Sequence, residues 1–340
     1  MSNRVLGHLS DVVSTLRESP FVLFLGAGVN GSLCPKWKEV LAALRKVAFG
    51  HVRRSLPDVS PKEFGEHCSS LSYEAQAEVY KLILGSTYEA CLKQAIYTSD
   101  LSTGGVFDKR ELDTYMQTRE AGTPSLAEKY QLLRDVARLS QHPATIAVLT
   151  LNYDNYVEMS IASLVKERIR KPGHASSVRE PYSTPGGGTC RFPSPARTVI
   201  PIHHIHGFLP YPTADLAKDS EDIVLSQDEY IAAFNDAISV SNCTAIHYLT
   251  HYPALFIGLS MCDWNLLRFL RASQSSGRTF PHYCVLKEEG HLDRIRISLL
   301  QNYGVRVLPC SSEEADGRDS YAPVRRTVQQ LCDELERTNE

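Results

Sequence analysis

The stretch Phe21–Trp37, FVLFLGAGVNGSLCPKW, constrains the fold more than any other part of the chain. Phe21 to Leu25 is an unbroken apolar run without alternation, the pattern of a strand covered on both faces in a parallel sheet. Gly26 and Gly28 follow at once. Residues without a Cβ let the backbone turn tightly and approach a ligand closely, so that N–H groups can line a concavity for phosphate oxygens. A helix expected from Trp37 to Val47 starts close behind, just after Pro35. Glycines also serve strand-to-helix turns for geometry alone, so the loop by itself does not establish a nucleotide site.

The rest of the chain repeats the strand-then-helix theme. Thr145 to Leu151 (TIAVLTL) is a second β-rich run ending in Asn152, Tyr153 and Asp154, and Val199 to Ile205 ends in His206-Gly207. Ile223 to Leu225 and Ala254 to Ile257 read as further strands, the latter running into Gly258-Leu259-Ser260 and a helix over about 263–272. Short strands at Tyr283–Leu286 and Val305–Leu308 flank a helix at 292–301, and an amphipathic helix closes the chain at 322–336. A helical stripe over 5–17, ended by Pro20, precedes the first strand. This alternation predicts an α/β fold, a Rossmann-like doubly wound parallel sheet. Residues 60–141 carry no strand signal but several helical segments, at 73–84, 88–96 and 126–139, and read as a helical insertion within one domain spanning 1–340. Residues 171–198 are rich in Pro, Gly and Ser and read as a long loop or linker.

Composition narrows the function classes. With 340 residues, 43% hydrophobic and 22% charged, the chain can bury a sizeable core. A net charge of -3 offers no general attraction to nucleic acid or to anionic membranes, so sequence-specific nucleic-acid binding is not expected. The N-terminus lacks a basic start followed by a long apolar core, and no apolar run approaches the roughly 18 residues that span a bilayer. A cytoplasmic protein is the expectation. The nine cysteines are scattered singly without a C-x-x-C pair, which indicates neither a disulfide framework nor a four-cysteine zinc site. His203, His204 and His206 form a histidine run, but strand alternation sends His203 to the side opposite the other two, so no metal is expected there either.

Four strand ends thus present glycines or polar residues, which is where ligands sit in open α/β sheets. In order and wording they resemble the SIR2 (sirtuin-like) family, in particular its bacterial branch. Gly26-Ala27-Gly28 is similar to that family's glycine loop, Thr150-Leu151-Asn152-Tyr153-Asp154 to its Thr-x-Asn-x-Asp segment, His206-Gly207 to its catalytic His-Gly, and Gly258-Leu259-Ser260 to its late Gly-x-Ser turn. The resemblance runs from about residue 20 to 310. It implies an NAD-binding Rossmann-like fold in which an asparagine and a histidine act at the nicotinamide ribose. Asn152 and His206 are then the expected catalytic pair, with NAD+ held by Gly26-Ala27-Gly28-Val29-Asn30, Asp154, Gly258-Leu259-Ser260 and Asp263.

Elementary chemistry agrees with those residue types. Nicotinamide leaves neutral from a cationic pyridinium, so cleavage of its glycosidic bond needs little acid catalysis. What it needs is a group that orients the ribose or water and a base titrating near neutrality, which a histidine is. Each residue also has a plainer job: Asn152 or Asp154 as a cap for the helix that follows, Asp263 and Asn265 as caps for theirs, Tyr230 and Trp264 as core or lid aromatics. Protein-deacylating sirtuins carry a zinc module on two cysteine pairs and many carry a Phe-Arg element after the glycine loop; neither is present here. The resemblance therefore favours the branch similar to bacterial antiphage effectors that hydrolyse NAD+, working as a homo-oligomer and with a separately encoded partner or sensor. A zinc-free deacylase, an ADP-ribosyltransferase and a non-catalytic NAD or ADP-ribose sensor remain the alternatives.

Overall fold

Phe21–Leu25 (β1) is fully buried, and its residues divide by parity. Phe21, Leu23 and Leu25 enter one hydrophobic core while Val22 and Phe24 enter another on the opposite face, which is why the run shows no alternation. The computed structural model describes residues 8–31, 33–97, 124–170, 178–184, 199–210, 223–236, 238–288, 293–311 and 321–337. Among them lie seven strands: β1, β2 (Thr145–Thr150), β3 (Glu180–Thr184), β4 (Val199–His204), β5 (Ala254–Ile257), β6 (His282–Glu288) and β7 (Val305–Ser311). They form one sheet in the order β3-β4-β2-β1-β5-β6-β7, and every pairing is parallel. Helices cover both faces, as expected for a doubly wound α/β fold.

β1 lies at the point where the strand order reverses: β2 pairs with it on one side and β5 on the other. A crevice opens there at the carboxyl ends of the strands. One face of the sheet is covered by α1 (Leu9–Glu18), α2 (Trp37–Ser55) and the helices of the 60–141 block, together with Tyr156–Ile169 and the closing helix Ala322–Glu336. The other face is packed by residues of Val240–His251, Trp264–Ser275 and Asp293–Asn302. We number the remaining helices in chain order as α3 (Pro61–Ser69), α4 (Tyr73–Leu84), α5 (Tyr88–Tyr97), α6 (Pro124–Ser140), α7 (Tyr156–Ile169), α8 (Gln227–Asn235), α9 (Val240–His251), α10 (Trp264–Ser275), α11 (Asp293–Asn302) and α12 (Ala322–Glu336).

Every described element between 60 and 141 is helical, and Tyr80, Leu84, Leu92 and Val136 pack into the same core as β1. α6 is tied to the closing helix by Arg138. Its guanidinium donates to Asp135 at 3.0 Å within α6 and to Asp333 and Glu336 of α12 at 2.7 Å each. Residues 98–123 of the block lie outside the described residues.

The structure corrects three local expectations. Glu180–Thr184, within the stretch read as a loop, is a strand paired with β4 at the sheet edge. Pro181 is tolerated because an edge strand has one side on which no ladder N–H is required. Residues 171–177 and 185–198 of that stretch lie outside the described residues. Ile223–Leu225 is not a strand: Val224 N–H donates once, to the His206 carbonyl at 2.8 Å, before Ser226 caps α8. Helices α8 and α9, absent from the sequence reading, account for most of the residues between there and β5.

Candidate active site

A cavity of about 860 Å³ opens at the carboxyl ends of the central strands. It is lined by Gly26, Ala27 and Gly28 after β1, Leu151 to Tyr153 after β2, His206 after β4, Gly258 to Ser260, Cys262 and Asp263 after β5, and by side chains of neighbouring helices. A volume of this size lies within the range of roughly 300–1,000 Å³ typical of small-molecule sites.

The glycine loop is shaped by its neighbour. A Cβ on Gly28 would lie 2.8 Å from both the Cα and the carbonyl oxygen of Gly258, and one on Gly26 would lie 2.5 Å from the Leu259 side chain. Gly258 has φ +70, and a Cβ there would run into the Val29 nitrogen. The loops after β1 and β5 are thus in backbone contact, sealed by Gly28 N–H donating to Gly258 C=O at 2.9 Å. Gly26 N–H is taken by Ile257 C=O and Val29 N–H by Gly26 C=O, both at 3.0 Å. The expectation that a row of loop N–H groups faces a phosphate is therefore corrected. Those donors are spent within the protein, and among the described residues Ala27 N–H alone of residues 26–29 meets no carbonyl. Gly31 lies at the third position of a Gly-x-Gly-x-x-Gly spacing with Gly26 and Gly28, although from the sequence the stretch reads as lacking that third glycine. Cationic side chains on the cavity wall, Lys36, Lys287 and Arg296, supply positive charge instead.

Asn152 sits just beyond β2, 5% exposed, with its side-chain amide donating to Gly26 C=O at 3.3 Å and its N–H to the Thr150 hydroxyl at 3.0 Å. This ties the asparagine to the glycine loop and, among the described residues, leaves its carboxamide oxygen without a donor. His206 follows β4 in a turn that Gly207, at φ 96, completes in a conformation glycine adopts without strain. Its ring is buried, and Nε2 has no hydrogen-bond partner among the described residues. Burial pushes its pKa down, and the carboxylate of Asp263, 4.0 Å from Nε2, partly restores it. The imidazole is therefore neutral near pH 7 and able to accept a proton.

Asp263 does two jobs. Its Oδ1 caps α10 by accepting from Leu266 N–H at 2.9 Å, and its Oδ2 accepts from the Tyr230 hydroxyl at 3.1 Å. The Tyr230 ring stands edge-on to His206 at 5.5 Å, so this tyrosine lines the cavity rather than filling a core. Trp264 is 79% exposed and is not a core residue. Met261, between the cavity residues Ser260 and Cys262, has φ 56, a left-handed conformation uncommon for a side chain of its size and found most often where function fixes the backbone.

Three expected ligand contacts stand behind the cavity wall. Val29 and Asn30 are buried beneath the loop, and Asp154 is buried with them. Asp154 accepts from the Asn30 amide at 2.8 Å and from Tyr156 N–H at 3.1 Å, so it pins the glycine loop to the start of α7. Burial raises its pKa to about 6. The histidine run separates as alternation requires: His203 lies against Tyr248 of α9, and His204 points to the opposite face toward α7. His204 and Glu158 stand 2.6 Å apart there, a contact the sequence reading did not contain. Glu158 carries no local signal, because only the three-dimensional fold brings α7 under β4. Among the described residues no cluster of three or more His, Cys, Asp or Glu side chains suits a metal ion.

Comparison with known proteins gives two findings. The family described as a SIR2-like domain matches residues 146–308. A solved structure described as "Structural Basis for the Mechanism and Regulation of Sir2 Enzymes" aligns over 100% of this chain and 99% of its own, with 10% identity and a TM-score of 0.38. No curated protein matches the sequence. The matched residues 146–308 include nearly all of β2, Asn152, His206, the turn after β5 and Asp263, so the similarity to SIR2-like domains falls on the part of the chain that supplies most of the cavity.

Proposed function

We propose that the protein is an NAD+ glycohydrolase, converting NAD+ and water to ADP-ribose, nicotinamide and a proton. One observation carries the reading: a single crevice at the strand-order switch point gathers Asn152, His206 and the glycine loop, three features drawn from three different strand ends. The SIR2-like match supports NAD+ as the ligand class, and the cations Lys36, Lys287 and Arg296 suit a diphosphate.

The chain's own groups divide the chemistry. As the bond from the ribose to the nicotinamide nitrogen breaks, nicotinamide departs with the bonding electrons and an oxocarbenium-like carbon is left to accept water. Neutral His206 takes the proton from the attacking water or from a ribose hydroxyl, and Asp263 stabilises the imidazolium that forms. Asn152, fixed to the Gly26 carbonyl, orients the ribose hydroxyls or the water through its carboxamide.

The wider reading is an effector of a bacterial antiphage, abortive-infection system. An enzyme that destroys NAD+ without control kills its host, so its activity is gated by self-association or by a separately encoded partner that senses infection. The deciding experiment is nicotinamide release from NAD+ alone by the purified protein. Release that depends on an acylated peptide identifies a deacylase, ADP-ribose attached to another acceptor identifies a transferase, and binding without turnover, with or without the genomic neighbour, identifies a sensor.

A further inference from the structure

We propose that His204 is a positioning residue for the reaction proposed above, held as an imidazolium between the Asn152 carbonyl and the Glu158 carboxylate so as to fix the peptide that carries Asn152. The inference rests on that reading of Asn152, but its structural half stands by itself. His204 Nδ1 lies 2.8 Å from the Asn152 carbonyl oxygen and Nε2 lies 2.6 Å from Glu158 Oε1. A carbonyl oxygen only accepts, so Nδ1 carries a proton. Nε2 then faces an acidic oxygen at short range, and the pair must share one further proton; without it, a ring lone pair would confront a carboxylate.

The surroundings are closed. His204 is 1% exposed, with the Phe208 ring 4.4 Å away on centroids. Ser183 of β3 donates its hydroxyl to the same Glu158 oxygen at 2.8 Å. Asp154, in the loop after β2, adds negative charge, while His203 on the same strand is a neutral ring whose pKa burial pushes down to about 4. Burial opposes charge on His204, but Glu158, the Asn152 carbonyl and Asp154 outweigh it and its pKa is raised. Glu158 Oε2 is buried with no partner among the described residues. A buried ion pair is by itself weak evidence for stability, and the bond from its histidine to the Asn152 carbonyl favours a role in placing Asn152.

The sign of the pH dependence follows. A histidine with a raised folded-state pKa contributes fully below its unfolded value near 6.5, and its contribution is lost as pH rises through the folded value. Turnover should fall on the alkaline side, because loss of the shared proton sets the Nε2 lone pair against the Glu158 carboxylate and displaces the ring that holds the Asn152 peptide, and a displacement of roughly 1 Å is worth about a hundredfold.

Three variants test this through kcat and KM for nicotinamide release across pH, with histidine NMR titration and thermal melting. Glu158→Ala should lower kcat about a hundredfold and change KM for NAD+ by less than about threefold. Glu158→Gln should restore most of that loss and flatten the alkaline limb, because a carboxamide N–H can donate to a neutral His204 Nε2 while Nδ1 stays on Asn152. In the wild type both nitrogens of the ring assigned by His204→Gln should be protonated at pH 7. A neutral His204 at pH 7 overturns the proposal, as does a folded Glu158→Ala protein with wild-type kcat and pH profile. If Glu158→Ala does not fold, the Glu158→Gln profile and the NMR state decide. If the wild type releases no nicotinamide, the glycohydrolase reading fails while the imidazolium clamp still stands or falls by NMR.

Discussion

At the scale of single residues, Asn152 and His206 are neither core residues nor free surface, and their removal separates chemistry from folding. Asn152→Ala and His206→Ala should each lower nicotinamide release by about a hundred- to ten-thousandfold at saturating NAD+ while melting close to the wild type. Near-normal turnover in a folded His206 variant would remove it from the mechanism, and loss only through unfolding would make both residues structural. Because burial depresses its pKa, the acid limb of kcat/KM belongs below the ordinary histidine value of about 6.5. Asp263→Asn keeps the cap on α10 but removes the charge that raises His206, so this limb should move to still lower pH and the plateau rate should drop. An unmoved limb would show that Asp263 does not face the titrating group. Both catalytic candidates were legible because each follows an apolar run directly. Asp154 and Asn30 were misplaced because a polar residue beside a ligand loop reads the same whether it faces the cavity or braces the loop from behind. Glu158 was invisible, since nothing in a helix sequence records which strand lies above it.

Elements show where these placements come from. The contact between the two glycine turns predicts that Gly258→Ala is destabilising, by about 1–3 kcal/mol from overpacking, with further strain from the positive φ. Chemical denaturation should show a lower midpoint at unchanged slope, and a wild-type midpoint would mean that the two turns separate freely. Gly28→Val should do the same, so it reports on folding and not only on phosphate binding. Between α6 and α12, Arg138→Ala removes the guanidinium hydrogen bond to Asp135, which is fully buried, and leaves it the Gln131 amide at 2.8 Å and the charge of Arg134. The expected loss is about 3 kcal/mol, and an unchanged denaturation midpoint would contradict it. Six strands were legible as β-rich runs because those runs are shielded by the fold. β3 was not, because an edge strand of Glu, Pro, Tyr, Ser and Thr buries too little to need an apolar run. Helix α8 did leave a mark in Ser226-x-x-Glu229, a capping box the structure confirms, but the adjoining apolar residues drew the reading toward a strand.

For the whole molecule, doubly wound architecture was legible because alternating strands and helices admit few arrangements, whereas association leaves no comparable trace. No described helix is long and apolar enough to cross a membrane. Tyr73 and Leu82 on α4 are exposed, as are Ile231 and Phe234 on α8, and the Lys81–Glu229 ion pair at 2.6 Å joins the two helices. We expect the purified protein to form a multimer that uses the helical block, with Leu82→Asp shifting its mass by light scattering toward the monomer. A wild-type monomer that cleaves NAD+ at full rate would refute this. The seam between Gly28 and Gly258 bears on how such a protein is made. Its cavity floor joins two turns that lie far apart in the sequence, at Gly28 and Gly258, and β1 can meet β5 only after all the chain between them has been made. A nascent or truncated chain that stops before β5 possesses Asn152 and His206 but lacks the turn that closes the floor of the cavity they line, so the site cannot assemble until β5 has been made.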